Sequence, residues 1–186
     1  MKSLWPMMLV MCVEPVSAVE VCYPVQTEGG QVSFAVDQDR APFTGNFRRY
    51  GGQICFDGGT VDHIDAWLEP GSVDTGLPEV DEALGGTLFF ESDRYPRITF
   101  ASNEIRRQAA QDDWIAVGTV TVKEHDYALE VPFTVRGGVS ARRVSGDIDV
   151  QRLRYGIGIG EWSNTDWLGG MVTLHYDVPL GPEPAK

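Results

Sequence analysis

The chain has 186 residues and a formal net charge of −12, from 15 Lys and Arg against 27 Asp and Glu. Such acidity gives no electrostatic footing for nucleic acid or an anionic bilayer surface, and 42% hydrophobic with 23% charged residues fits a folded domain rather than a disordered chain. No apolar stretch reaches the roughly 20 residues a transmembrane helix needs.

Lys2, the apolar run Leu4 to Val13 broken only by Pro6, and Val16-Ser17-Ala18 follow the layout of a secretory signal peptide cleaved after Ala18. A lipoprotein cysteine at Cys12 is disfavoured by the bulky Met11 before it. The expected division is a signal peptide over 1–18, one domain over 19–181 and a C-terminal tail over 182–186. Cleavage leaves Cys22 and Cys55, and an even count in an exported chain favours a disulfide over two free thiols. Ile54 and Phe56 claim the apolar face of their strand, so Cys55 points the other way. A thiol exposed there would be open to oxidation, and pairing with Cys22 removes that liability.

The mature chain then alternates with period two. The runs are Val32-Phe34-Val36, Phe43 to Arg49, Ile54-Phe56, Ile64-Ala66-Leu68, Ile98-Phe100 and Trp114 to Val122. After them come Tyr127 to Val135, Ile148-Val150 and Val172 to Val178. Paired glycines, among them Gly51-Gly52, Gly58-Gly59 and Gly137-Gly138, mark the corners. Only Pro78 to Leu84 reads as a helix, with Pro at its first position and Glu79, Asp81 and Glu82 in its first turns. The strand–helix rhythm of a parallel α/β sheet is absent. Strands joined by hairpins must close or stack to hide their edges. The large inward residues Phe34, Phe47, Phe56, Phe100, Phe133 and Tyr176 favour a barrel over a sandwich. Both a barrel filled by side chains and a hollow one satisfy this pattern.

No catalytic constellation emerges. His63, His125 and His175 stand apart, without Cys or His at metal-ligand spacing. His63 shares a strand face with Asp65, a pairing that a solvated polar face explains as readily as a base. Gly156-Ile157-Gly158-Ile159-Gly160 lacks the Lys, the spacing and the following helix of a phosphate loop, and it reads as a tight turn over the barrel mouth. No catalytic residue, metal site or bound cofactor is expected.

Several segments resemble the YceI-like family of exported lipocalin-type proteins. They are Gly45 to Asp57 (GNFRRYGGQICFD), Ser72 to Gly76 (SVDTG), Leu88 to Glu91 (LFFE), Tyr95 to Ser102 (YPRITFAS) and Gly118 to Val122 (GTVTV). Arg154 to Trp162 (RYGIGIGEW) resembles the ending of a subgroup associated with b-type cytochromes. Lys123-Glu124-His125-Asp126 stands where the family usually carries a Gly, and Val80 to Leu84 lacks the family's His. The resemblance implies an all-β fold: an extended eight-stranded antiparallel lipocalin-like barrel with one or two short helices. It further implies a non-enzymatic periplasmic binding protein that sequesters a polyisoprenoid or an isoprenoid-tailed quinone in its tunnel. The tunnel would be lined by Phe34, Phe47, Ile54, Phe56, Phe89, Ile98, Phe100, Val120 and Phe133. The lipid is the expected partner. A membrane-bound b-type cytochrome receiving a quinone is the alternative role, and a second copy of the chain is a further candidate partner.

Overall fold

The computed structural model describes residues 20–108, 113–138 and 141–182. The expected signal peptide and nearly all of the expected tail lie outside these. Eleven strands form one antiparallel sheet: β1 (Val21–Pro24), β2 (Gln31–Gln38), β3 (Ala41–Phe47), β4 (Tyr50–Asp57), β5 (Thr60–Leu68), β6 (Val73–Asp74), β7 (Ile98–Arg107), β8 (Asp113–Val122), β9 (His125–Arg136), β10 (Arg143–Gln151) and β11 (Leu168–Pro179). One helix, α1 (Pro78–Gly85), follows β6.

The sheet order is β1-β4-β5-β7-β8-β9-β10-β11-β2-β3-β6, and the sheet curls into a half-barrel. Every alternating run of the sequence forms a strand. The nine runs with the short β1 and β6 make eleven strands, against the eight that the resemblance implies. β1 and β6 span 4 and 2 residues, too few to show an alternation. The curl brings the start of the sheet back to β11. Val25 bridges Leu180, Gly181 N–H donates to the Pro24 carbonyl at 2.7 Å, and Gln26 N–H to that of Pro179 at 2.9 Å.

β1 is held on its other side by β4, in a register that sets Cys22 directly opposite Cys55. These two form a disulfide closing a separation of 33 residues. Tyr23 and Phe56 pack edge to face beside it, 5.6 Å between centroids, inside a core that also holds Ile54, Val61, Ile64, Trp114, Phe133 and Val178.

α1 begins at Pro78, with Glu79 and Asp81 in its first turn, where the positive end of the helix dipole favours carboxylates. Asp81 also fixes the approach to the helix: it accepts the backbone N–H of Thr75 at 2.9 Å and its hydroxyl at 2.7 Å. The β8–β9 hairpin turns on Lys123 and Glu124, with φ of 49° and 63°. Both residues lie in the left-handed region, which costs a side-chain-bearing residue roughly 1 kcal/mol. The turn adopts the geometry a glycine would suit, with charged residues in its place.

Two outcomes follow from this frame. Replacing Cys22 and Cys55 together by Ser is expected to cost about 3–4 kcal/mol by loop-closure entropy, read as a lower denaturant midpoint. Glu124→Gly is expected to stabilise the fold by about 1 kcal/mol, read as a higher thermal midpoint.

Candidate functional site

The concave face of the sheet surrounds two apolar chambers. The larger, about 420 Å³, falls within the roughly 300–1,000 Å³ of typical small-molecule sites. The smaller is about 200 Å³. Leu68, Ile98, Val120, Leu129 and Leu174 line both, so the two chambers adjoin where the sequence places a tunnel. Strand parity builds them. On β8, inward residues alternate with outward ones along the whole length, and Val120 and Val122 are the inward pair facing the larger chamber. α1 covers that chamber with Val80, Ala83 and Leu84, although none of its residues is fully buried.

Of the residues expected to line a tunnel, Phe34, Phe47 and Phe89 face the larger chamber. Ile54, Phe100 and Phe133 face the smaller, and Ile98 and Val120 face both. Phe56 does not belong with them. Phe56 shares the inward face and the buried cluster of Ile54, but it packs edge to face against Tyr23 outside both chambers. The register shift beside it falls on β5, where Asp62 is the extra residue between the partners of Cys55 and Phe56. The Arg142 guanidinium lies over the Phe56 ring at 4.0 Å.

Sequence reasoning missed Arg152. It is 3% exposed and sits in the turn Arg152–Tyr155 that follows β10. A guanidinium has five N–H donors, and each has a carbonyl here. Nε donates to Gly169 at 2.8 Å. One terminal nitrogen donates to Ile157 at 3.1 Å and Gly158 at 2.5 Å, and the other to Trp162 and Leu168, both at 2.7 Å. Its partners among the described residues are all carbonyls, with no carboxylate. Burial lowers its pKa, yet an arginine keeps its charge in a protein. The Gly-rich stretch wraps this side chain. Gly158 has φ of 68°, and a Cβ there would collide with the Arg152 guanidinium. The family-like stretch RYGIGIGEW begins two residues later, at Arg154, which lies on the outside over Tyr127 and Tyr155, 5.9 and 5.8 Å from their ring centres. The signal that could have found Arg152 was the dense run of glycines close behind it, which supplies exposed carbonyls.

His63 does meet a carboxylate. Its Nε2 is 3.0 Å from Asp65, and its Nδ1 is 3.3 Å from the Ser102 hydroxyl. That hydroxyl also accepts the Ile64 N–H at 2.9 Å and is buried. Ser102 thus occupies the place where the β5–β7 ladder ends, and a buried oxygen already bonded to backbone is not a nucleophile within reach of a substrate. Among the described residues, one group has metal-ligand proximity, Glu20 with Cys22 and Cys55. Both of its sulfurs are spent in the disulfide, which leaves no thiolate to bind a metal.

Residues 23–180 match the YceI-like domain. No curated protein matches the chain. Among solved structures, BcnA of Burkholderia cenocepacia is similar with a TM-score of 0.78 at 24% identity, over 83% of this chain and 98% of that one. A polyisoprenoid binding domain from Saccharophagus degradans, implicated in plant cell wall breakdown, gives 0.68 at 13%, over 87% and 99%. The YceI protein of Campylobacter jejuni gives 0.66 at 19%, over 76% and 85%. At these identities the likeness is one of fold.

Arg152→Lys keeps the charge but offers three donors to five carbonyls. It is expected to cost about 3 kcal/mol, read by denaturant unfolding, whereas Arg154→Lys on the outside is expected to leave the midpoint unchanged.

Proposed function

The chain belongs to the YceI-like family, and we propose that it is a non-enzymatic, exported binding protein that holds an isoprenoid lipid in its tunnel. The observation that carries this reading is the tunnel wall, two adjoining chambers lined almost wholly by aliphatic and aromatic side chains. Burying a methylene is worth roughly 0.8 kcal/mol, so each five-carbon isoprene unit contributes about 3–4 kcal/mol. A wall of this kind retains a long apolar tail without a charged contact. The similar domain from Saccharophagus degradans is a polyisoprenoid binding domain, which agrees in ligand class. The Cys22–Cys55 disulfide suits an oxidising compartment, and the periplasm is the compartment we propose.

An isoprenoid-tailed quinone is one member of this ligand class. The Gly156 to Trp162 stretch is the only motive for presenting such a quinone to a membrane-bound b-type cytochrome. That stretch has a structural reason to exist in its wrapping of Arg152, so the binding role is preferred.

Organic extraction of protein purified under native conditions, followed by mass spectrometry, is expected to release an isoprenoid lipid. Phe100→Glu, which sets a carboxylate in the smaller chamber, is expected to lower the retained lipid about tenfold or more. Asp62→Asn on the outer face is expected to change nothing. A lipid-free wild-type protein that also takes up no isoprenoid sinks the proposal.

A further inference from the structure

β9 and β10 are neighbours in the sheet, yet they pair only at Arg136–Arg143, Val135–Val144 and Thr134–Ser145. Both strands run on beyond that point. β9 stays laddered to β8 down to His125, and β10 to β11 down to Met171. The tunnel wall therefore splits between β9 and β10. The split begins at Pro132, which has no N–H to offer a neighbouring strand. There the Tyr176 hydroxyl, from β11, passes over Gly146 and donates to the Pro132 carbonyl at 2.5 Å. A Cβ on Gly146 would collide with that hydroxyl. The far end is closed by Tyr155, whose ring lies 4.8 Å from that of Tyr127. Between these two closures the split is flanked by Leu129 and Val131 on β9 and by Ile148 and Val150 on β10, all of which line the chambers.

Backbone polar groups of a strand turn to alternate sides. Since the Pro132 carbonyl faces the split, so do the N–H and C=O of Glu130 and Ala128. By the same parity from Ser145, so do those of Asp147 and Asp149. The β9–β10 ladder gives these groups no partner. Two rows of backbone groups that this ladder does not pair thus frame the gap beside the apolar chambers. The outer rim is acidic. Asp126 is bonded to Thr121, Asp149 to Thr173, and Asp147 to His175. The cations near it are committed elsewhere: Arg106 to Glu104 and Glu130, Arg154 to the faces of Tyr127 and Tyr155, and Lys123 to the Gly156 carbonyl at 2.8 Å.

We propose that the split between β9 and β10 is the headgroup site of the tunnel ligand. The tail lies in the two chambers, and an uncharged hydrogen-bonding group, a hydroxyl or a quinone carbonyl, bonds to the open backbone groups. The acidic rim disfavours a phosphate or diphosphate there. This rests on the lipid-binding reading and narrows its ligand class.

Delipidated full-length chain is titrated with geranylgeraniol and with geranylgeranyl diphosphate. The alcohol is expected to bind about tenfold more tightly. The double variant Asp147→Asn, Asp149→Asn should narrow that gap several-fold by tightening the diphosphate alone, while Asp57→Asn with Asp62→Asn leaves it unchanged. A prenol analogue carrying a photoreactive group at its hydroxyl end should label residues 128–131 or 146–150. Diphosphate binding as tight as the alcohol, a gap insensitive to Asp147 and Asp149, or labelling at Gln38 or Glu79 of the larger chamber overturns the headgroup site and leaves the lipid-binding reading standing. No uptake of either compound overturns both.

Discussion

The larger chamber depends on one buried guanidinium. Five carbonyls from two separate stretches, Ile157 to Trp162 and Leu168-Gly169, converge on Arg152. Without it those carbonyls would stand buried and unmet, at about 1–3 kcal/mol each. With it, an irregular loop becomes a fixed wall, and the loop carries Ile157 and Trp162 to the chamber. Trp162 is seated between Phe89 and Trp167, 5.4 and 5.1 Å from their ring centres. The positive charge is offset by carbonyl dipoles rather than by a carboxylate. A ligand entering the chamber therefore has no ion pair of Arg152 to break.

The opposite end is held by different chemistry. β1 leads into Val25, which lines the smaller chamber. The strand is fixed twice, by the disulfide to β4 and by the seam to β11. This division has a physical reason. Side chains that face a void forfeit the dispersion contacts a packed core would supply, so the middle of a hollow fold contributes less to its own stability. Directional bonds and a covalent link at the two ends hold what packing in the middle does not.

The fold was legible in the sequence because period two is a strong signal over long strands. Tyr127 to Val135 and Trp114 to Val122 fix their own parity, and once one inward residue is known the rest of the strand follows. β1 and β6 are too short for that, and they escaped. Phe56 keeps the inward parity of Ile54, yet it lies outside both chambers against Tyr23: parity tells which residues point inward, but not where along a strand the hollow ends and packed side chains begin. Arg152 escaped because an arginine in Gln151-Arg152-Leu153-Arg154 reads as surface. Only the folded loop shows that its carbonyls point inward. The opening between β9 and β10 was half legible. Pro132 announces that a strand partner is missing, but not which neighbour departs.

A tunnel with almost no polar lining binds by apolar area, and area alone discriminates poorly, since one methylene more or less changes affinity only modestly. Selectivity in such a protein must come from the few places where polar groups meet the ligand. The larger chamber offers few: Gln38, Glu79, and Arg152, whose donors are all taken. The smaller adds Asp65, Thr99 and the hydroxyls of Tyr50 and Tyr176, both bonded to backbone carbonyls. The backbone beside the chambers is a further source. In the proposed headgroup site, the broken β9–β10 ladder would offer backbone groups to a ligand inside. Its closure by two tyrosines, one bonded to Pro132 and one packed on Tyr127, bounds its length without filling it. The chain length of a ligand would then be read by the tunnel and its headgroup by the gap in the wall, so that the two preferences could change independently.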